Sequence, residues 1–544
     1  MFTVKVEGKT YEFNSKITLE ELSKKLNIKA LGAKVNNRLR ELTYYLNTNS
    51  EVEFIDLQDS EGVRMYQSTL RYLLVKAIKN LYPSVTVKFS HHISRSFLCV
   101  VNGVKEDECF INAVNEEMNK IIKADLPIER IKVTKEEASR IYALEGFLDK
   151  IDVLKYREEN NVNMYKCGDY YNYMYGYMLA RTSYISDFNL VPYKLGFLVQ
   201  YPRSEAKGNI PDFDDSPKLH DMIQEAYKWS RTCRIANIAS MNEFTNDREF
   251  VDFVNMCETK HNNMLADLGL KIKENVENIK LIAIAGPSSS GKTTFSNRLR
   301  LELMSRGIKP VKISMDDYYL DRDQAPRDEY GELDLEHVEA LDLELFNEHL
   351  LSLIQGEEID VPRFDFESGK RIVGEKMRVS EDTPIIIEGI HALNEEVTKL
   401  IPKYQKFKIY ISPLSQINID NHNPINATEI RLLRRVVRDA KYRNTDPSDT
   451  FTMWPSVRRG EFKWIYPHQE GADYIFNSEL TYELGVMKKY ALPVLEAISR
   501  NDEHFITANR LVKFLKLIRD IDDRYVPCNS LLREFIGNSC FYDV

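Results

Sequence analysis

The segment that most restricts the fold of this chain lies at residues 285–295, which read AGPSSSGKTTF. An apolar run, KLIAIAG, precedes it, and a helical pattern that ends at Gly307 follows it. From Lys280 onward, short apolar runs continue to alternate with helical stretches. This rhythm predicts an α/β fold, with a doubly wound parallel sheet that carries helices on both faces.

The glycines of the same segment predict a phosphate-binding loop. Gly286, Gly291, Lys292 and Thr293 fit the pattern G-x-x-x-x-G-K-[ST]. Glycines let successive backbone N–H groups turn towards one anion, and the next helix adds the positive end of its dipole. We expect Lys292 to reach the β- and γ-phosphates of ATP and the Thr293 hydroxyl to bind Mg²⁺. The expected ATP-binding residues are Gly286, Pro287, Ser288, Ser289, Ser290, Gly291, Lys292, Thr293 and Thr294.

Two acidic residues follow later strands of the predicted sheet. Asp316, in SMDDYY, and Glu388, in IIIEGIH, lie at the carboxyl ends of strands, where doubly wound folds bind ligands. Asp316 is predicted to accept the proton of an attacking hydroxyl; the alternative is a solvated loop acid. Glu388 is predicted to orient Mg²⁺; the alternative is a helix cap or a loop carboxylate.

A basic helix is predicted over ATEIRLLRRVVRDAKYR. Arg431, Arg434, Arg435 and Arg438 are spaced so that they share one helix face. Four guanidinium groups on one stripe repel one another unless anions lie opposite. One interpretation is a lid that neutralises the phosphates of ATP. The other is a surface stripe that pairs with nearby acids.

These motifs, taken together, resemble a known family. Residues 280–500 are similar to the uridine kinase and phosphoribulokinase family of P-loop kinases, in the stretches GPSSSGKTT, SMDDYY, LEHVEALD, VPRFDF, IIIEGI and RLLRRVVRD. The resemblance implies an ATP-dependent phosphotransferase with an alcohol acceptor and Mg²⁺. It implies that Asp316 is the base and that Lys292, Arg434 and Arg438 are also catalytic. It further implies that Arg435 binds the nucleotide. The implied acceptor-pocket residues are Asp316, Tyr319, Glu336 and Arg371.

The departures from the family pattern fall in the acceptor pocket. Uridine kinases usually carry Asp-His-Pro where this chain has Glu336-His337-Val338, and their pocket histidine falls at Gly369. The resemblance therefore supports the ATP-side chemistry but not the recognition of a pyrimidine. A nucleoside kinase of the uridine or cytidine type is the first hypothesis, and a kinase of a non-nucleoside polyol or sugar phosphate is left open.

The N-terminal half resembles threonyl-tRNA synthetase. Residues 1–58, with the stretch AKVNNRLREL, resemble its β-grasp TGS domain, and residues 61–203 its α+β editing domain. Ser68, Tyr72, Met174 and Met178 stand where that domain carries His-x-x-x-His and Cys-x-x-x-His. These side chains do not make a zinc site, so we expect editing hydrolysis to be lost. The tyrosines and methionines either form an ordinary core or present a stacking surface for RNA or a nucleoside.

Length and pattern predict five parts: 1–60, TGS-like; 61–205, editing-like; 206–279, a helical connector; 280–500, the kinase-like domain; and 501–544, a helical extension. The net charge of −9 argues against a nucleic-acid footprint over the whole chain. Seven scattered cysteines predict reduced thiols in a cytoplasmic protein, and no apolar run suggests a membrane span. An ATP-dependent RNA- or ribosome-associated regulator remains the competing hypothesis, and a homo-oligomer is compatible with the sequence.

Overall fold

The N-terminal part of the chain is a small sheet packed on one helix. The computed structural model describes residues 1–244, 246–328, 331, 333–365, 368–380, 383–414 and 417–542. Five strands pair in the order β2-β1-β7-β4-β5, with β1 and β7 parallel, as the predicted β-grasp arrangement requires. The elements are β1 Phe2–Val6, β2 Lys9–Phe13, β3 Ile17–Thr18, α1 Leu19–Lys25, β4 Gly32–Val35, β5 Arg38–Glu41, β6 Tyr45–Leu46 and β7 Ser50–Ile55.

Two antiparallel sheets and a long buried helix follow. The sheets have the orders β13-β14-β9-β8 and β10-β11-β12. Helix α2 packs in their shared core and buries residues around most of its circumference, including Ser68 and Tyr72. The elements are α2 Ser60–Leu81, β8 Thr86–Ile93, β9 Ser96–Asn102, α3 Glu108–Lys123, β10 Glu129–Thr134, α4 Lys135–Glu145, α5 Leu148–Leu154, β11 Asn161–Cys167, β12 Tyr170–Asn172, β13 Asn189–Tyr193 and β14 Gly196–Gln200.

The connecting helices lead into a parallel sheet. They are α6 Pro217–Thr232, α7 Ile238–Asn242 and α8 Asp247–Glu274. The strands after them are β15 Leu281–Ala285, β16 Val311–Ser314, β17 Ile359–Asp365, β18 Lys370–Met377, β19 Ile385–Glu388, β20 Lys406–Ser412, β21 Asn418–Asp420, β22 Asn423–Pro424 and β23 Tyr474–Asn477. The helices are α9 Lys292–Ser305, α10 Leu343–Ile354, α11 Ala427–Tyr442, α12 Pro447–Gly460, α13 Glu483–Glu496, α14 Phe505–Leu515 and α15 Arg533–Ile536.

The five-stranded sheet has the order β16-β19-β15-β20-β23, and each neighbouring pair is parallel. All five residues of the central strand β15 are buried. Ile282 and Ile284 face one core, which includes residues of α8, α9 and α11, whereas Leu281 and Ala283 face another, which includes residues of α10. The predicted doubly wound sheet is thus confirmed, and the carboxyl ends of β15, β16 and β19 meet at one edge.

The N-terminal half is bonded to the kinase-like half through residues 417–424. The backbone N–H of Phe89 donates to the carbonyl of Asn421 at 2.8 Å. Lys150 and Asp420 form an ion pair at 2.7 Å in which the side chains are only 2% and 1% exposed. A buried charge left without its partner is costly, so these contacts fix the two halves against each other. None of the helices in the described part of the chain is long and apolar enough to cross a membrane.

Candidate active site beside the phosphate loop

The loop between β15 and α9 requires glycine at two positions. A Cβ atom on Gly286 would lie 2.0 Å from the carbonyl oxygen of Ile411 on the neighbouring strand β20. Gly291, which caps α9, has a φ of +92°, a conformation that side chains with a Cβ rarely adopt. The motif glycines are therefore explained by close backbone approach at one end of the loop and by a left-handed turn at the other.

The loop also carries unused hydrogen-bonding groups. The hydroxyls of Ser289, Ser290 and Thr294 are buried and have no hydrogen-bond partner among the residues that the structure describes. Lys292 Nζ donates to the carbonyls of Gly286 and Pro287, at 3.0 and 3.4 Å. Buried donors without partners are costly in a protein interior, and a phosphate group would satisfy them. The loop residues thus fit the triphosphate of a nucleotide.

Glu388 ends strand β19 next to the start of α9. Its Oε1 accepts hydrogen bonds from the hydroxyls of Thr293 at 3.3 Å and Ser314 at 3.2 Å. Burial, together with the charge of Asp316, raises the pKa of Glu388 to about 7. A carboxylate between two hydroxyls is a suitable donor set for Mg²⁺, which prefers oxygen ligands. Ser314 was missed from the sequence, because a serine that ends a strand carries no distinguishing pattern.

Asp316 and Asp317 follow β16 but point to different partners. The Asp317 carboxylate accepts from the backbone N–H of Phe364 at 3.2 Å and so holds the β17–β18 hairpin. Among the described residues, no hydrogen bond engages the Asp316 carboxylate, and its side chain is partly exposed. Asp316 is therefore the acid of this pair that is available to a ligand.

Three of the acceptor-pocket residues predicted from the family resemblance share one electrostatic environment. Burial raises the pKa of Glu336 to about 7, and Arg435 and Lys292 oppose that shift. Burial and the charges of Asp316 and Glu336 raise the pKa of Tyr319 well above its usual value. The fourth, Arg371, donates to Asp342 at 2.8 Å and pairs with Phe364, whose ring lies 5.6 Å from that of Tyr319.

Two arginines of the predicted stripe are buried in ion pairs. Arg431 Nη1 donates to Glu461 at 3.1 Å, and Arg434 Nη2 donates to Glu483 at 2.5 Å. All four side chains are at most 2% exposed. Arg434 also lies 3.4 Å from the carbonyl oxygens of two serines in the phosphate loop. Both arginines therefore hold α11 to neighbouring parts of the chain. The anions that neutralise them are protein carboxylates.

The remaining arginines of the stripe gather around one buried acid together with Arg443. Arg435, Arg438 and Arg443 lie 3.2, 2.8 and 3.7 Å from Asp439. Repulsion by Arg438, followed by burial, lowers the pKa of Arg443 to about 10. Arg435 Nη1 also donates to the Ser288 hydroxyl of the phosphate loop at 2.9 Å. This cluster is the part of the predicted lid that can accept a further anion.

The C-terminal segment reaches the same place. Glu534, on α15, accepts a hydrogen bond at 2.9 Å from the backbone N–H of Thr294, in the first turn of α9. Leu531 is the nearest side chain to Gly291, and the Phe535 ring lies 5.0 Å from the Arg434 guanidinium. No sequence pattern pointed to Glu534, since 240 residues separate it from the loop.

The four positions that replace the synthetase metal ligands separate into two pairs. Tyr72 and Met178 are fully buried in the N-terminal core, whereas Ser68 and Met174 line a cavity. Tyr72 donates its hydroxyl to the carbonyls of Tyr165 and Tyr170. Within the described residues, no group of three or more His, Cys, Asp or Glu side chains is placed to hold a metal ion.

Residues 281–484 match the model of the Phosphoribulokinase / Uridine kinase family. Two solved structures are similar at 20% identity: a possible uridine kinase from Bacillus stearothermophilus, covering 36% of this chain and 88% of that one with a TM-score of 0.22, and a candidate fructose transport system kinase from Silicibacter sp. TM1040, covering 39% and 98% with a TM-score of 0.29. The chain thus carries a kinase domain of this family in its C-terminal half.

The N-terminal region matches a different group of proteins. Threonine–tRNA ligase of Thermotoga maritima is 31% identical over 191 residues, which are 34% of this chain and 29% of the ligase. Threonine–tRNA ligase 2 of Bacillus subtilis is 28% identical over 190 residues, which are 34% of this chain and 30% of that ligase. The chain therefore spans less than a third of the length of these relatives.

Proposed function

We propose that this chain is an ATP-dependent kinase of a small molecule, with a nucleoside of the uridine or cytidine type as acceptor. The carrying observation is that, besides burial, the charges of Lys292 and Asp316 both act on the pKa of Glu336 and of Glu388, so that all four side chains lie together beside the phosphate loop. A base, a metal-binding acid and a cation within one electrostatic site are what phosphoryl transfer to a hydroxyl requires.

The proposed roles follow from position. Mg-ATP, when bound, supplies the phosphoryl group and the charge that offsets its oxygens. Asp316 accepts the proton of the acceptor hydroxyl, because its carboxylate is not used elsewhere. Thr293 and Glu388 hold the metal. Arg435 and Arg438 neutralise the charge that develops on the transferring group, since Arg435 donates to Ser288 of the phosphate loop and Arg438 lies beside the same acid, Asp439.

The acceptor pocket supports a polar acceptor with several hydroxyls. Glu336 Oε2 is buried and has no hydrogen-bond partner among the described residues. The charge of Glu336 also acts on the Tyr319 hydroxyl, so the two side chains lie near each other. A carboxylate and a phenol of this kind bind ribose hydroxyls, and they also suit a polyol or a sugar phosphate. The polyol or sugar kinase is therefore the second candidate. The unused Asp316 carboxylate argues against an RNA-dependent regulator, which needs no acceptor base.

The test is acceptor-dependent release of ADP from Mg-ATP, with uridine, cytidine, other nucleosides, polyols and sugar phosphates as acceptors. We expect uridine or cytidine to stimulate release, and Lys292→Ala to reduce turnover by about 10³-fold, since it removes a cation from the transferring phosphate. Lys309→Ala, an exposed lysine between α9 and β16, is the matched control. Stimulation by RNA alone would refute the kinase proposal, and stimulation by a polyol or sugar phosphate alone would favour the second candidate.

A further inference from the structure

The cavity that Ser68 and Met174 line lies away from the phosphate loop, where the N-terminal half meets α11 and α14. Its volume is about 730 Å³, and none of residues 286–294 lines it. We call it the junction cavity and define it by Arg38 on β5, Arg71 on α2, Lys132 on β10, Asn426 at the start of α11 and Lys513 on α14. A volume of this size is typical of small-molecule sites.

The wall of the junction cavity is strongly basic. Ten arginine and lysine side chains line it against four glutamates, although the whole chain carries a net charge of −9. Such a concentration of one charge in a concave surface raises the local concentration of anions. The cavity is thus matched to a ligand with several negative charges.

Several of these cations form no ion pair in the described part of the chain. Arg71 is 6% exposed; among the described residues its Nε has no hydrogen-bond partner and no acid lies within ion-pair distance, and its Nη2 donates to the Ser68 hydroxyl at 3.4 Å. Among the described residues, Arg38, Lys132 and Lys513 form no ion pair within 4.0 Å. An unpaired buried guanidinium is costly unless a ligand supplies the counter-charge. Arg71 is the second, independent sign that an anion belongs in the cavity.

The cavity also presents aromatic rings. Tyr173, Tyr175, Tyr177 and Phe505 line it, and all four are partly exposed. The Tyr175 hydroxyl is held by the carbonyl of Arg510 at 2.6 Å, which fixes the ring. Tyrosine and phenylalanine faces are the surfaces on which nucleobases stack. Basic and aromatic walls together suit a ligand with a base at one end and phosphates at the other.

We propose that the junction cavity binds a nucleoside di- or triphosphate, as a second nucleotide site distinct from the phosphate loop. The cations Arg38, Arg71, Lys132 and Lys513 hold the phosphates, and the exposed tyrosine rings hold the base. This site requires no metal cluster and no catalysis, and it does not depend on the identity of the kinase acceptor.

The experiment is equilibrium dialysis of the full chain with UTP, CTP, ATP or GTP. The Lys292→Ala variant is used, so that the phosphate loop binds weakly. We expect about one nucleotide per chain to remain bound. Lys132→Glu/Lys513→Glu in that background is expected to weaken binding at least tenfold, since two exposed cations that line the cavity become anions.

The matched control is Lys105→Glu/Lys399→Glu, which changes the charge equally at two exposed lysines outside the cavity. It is expected to bind like its parent. Arg71→Gln is a second variant, with thermal melting to confirm folding, and it should also lose binding. Equal losses in the cavity and control variants, or no nucleotide retained by Lys292→Ala, would overturn the site.

Two further probes test the ligand class. Inorganic triphosphate is expected to bind at least tenfold more weakly than UTP or ATP, because it cannot use the aromatic wall. Equal binding of inorganic triphosphate would overturn the nucleoside assignment. If a short single-stranded RNA ending in CCA bound and no mononucleotide did, the cavity would be an RNA-end site and the proposal would be wrong.

Discussion

The phosphate-loop site and the junction cavity both concentrate arginines, but they neutralise them differently. Beside the loop, Arg431 and Arg434 are paired with Glu461 and Glu483 in fully buried ion pairs. In the junction cavity, Arg71 is almost as buried and forms no ion pair with any described acid. The number of arginines at a site therefore does not report its capacity for a ligand; the number left without a carboxylate does.

Helix α11 borders both regions. Its first turn lines the junction cavity, where Glu429 is shared by Arg64 at 3.0 Å and by Arg510. Six residues further along, Arg435 contacts the phosphate loop. The same helix thus uses an acid to restrain cations at one end and an excess of arginines over acids at the other. Variants that change one pairing at a time can test this contrast.

The largest expected effect is on catalysis at the phosphate loop. Asp316→Asn keeps the shape of the side chain and removes its basicity, so turnover should fall by about 10³-fold while ATP still binds. Single-turnover phosphate transfer measures the loss of turnover, and an ATP titration of the same protein measures whether ATP binding is kept. Asp321→Asn, in the loop that follows, is a control for a nearby acid. Turnover close to that of the unaltered chain would show that Asp316 is not the base. In either case, nucleotide binding in the junction cavity should not change.

The next effect is on stability. Glu483→Ala leaves the Arg434 guanidinium buried without its counter-charge, which should lower the free energy of unfolding by about 3–5 kcal/mol. Urea unfolding measures the change. Glu396→Ala, an exposed glutamate, should alter the same quantity by less than about 0.5 kcal/mol. If the free energy of unfolding fell no more than in the control, the Arg434 guanidinium would be stabilised without Glu483. The loop site and the junction cavity would then differ less in how their arginines are neutralised than the ion pairs indicate.

Much of the fold was predictable because its signals are local. The strand KLIAIAG and the helix that ends near Gly307 each depend on a few neighbouring residues, and each was found in the structure. The capping box at Thr18 shows this most simply, since Glu21 lies three residues away and returns the hydrogen bond. The positions of Asp316 and Glu388 at strand ends followed from the same periodicity.

The pairing of charges was not predictable, because it joins residues far apart in the chain. The arginine stripe on α11 was visible as a pattern, but Glu461 and Glu483, which neutralise two of its members, lie 30 and 49 residues away. The stripe was therefore open to two interpretations. Pairing with acids holds for Arg431 and Arg434, whereas the lid over ATP stays a prediction for Arg435 and Arg438. The junction cavity draws its wall from β5, α2, β10, α11 and α14, so no window of sequence contains it.

A pH profile separates the acids of the loop site. Burial raises the pKa of both Glu336 and Glu388 to about 7, so both are largely protonated at pH 6 and ionised at pH 8. If the ionised forms are active, kcat/KM should rise about 100-fold over that range, about tenfold for each group. Glu336→Gln should leave a rise of about tenfold, and Glu339→Gln, an exposed neighbour, should leave the full rise. An unchanged profile in Glu336→Gln would exclude ionisation of Glu336 from the reaction.

The smallest effect concerns Glu534, a carboxylate that bonds to the backbone of the loop helix. Glu534 accepts from the Thr294 N–H, a donor in the first turn of α9, where an anionic ligand would bind. Glu534→Gln keeps the side-chain size but removes the charge, so ATP should bind about tenfold more tightly, the equivalent of one charge-assisted hydrogen bond. Calorimetric titration with Mg-ATP measures it, and Glu503→Gln, exposed on the same C-terminal segment, is the control. If both variants bind ATP alike, Glu534 does not compete with the nucleotide, and the C-terminal segment only packs against the loop. Nucleotide binding in the junction cavity should be the same in both, because no part of that cavity includes Glu534.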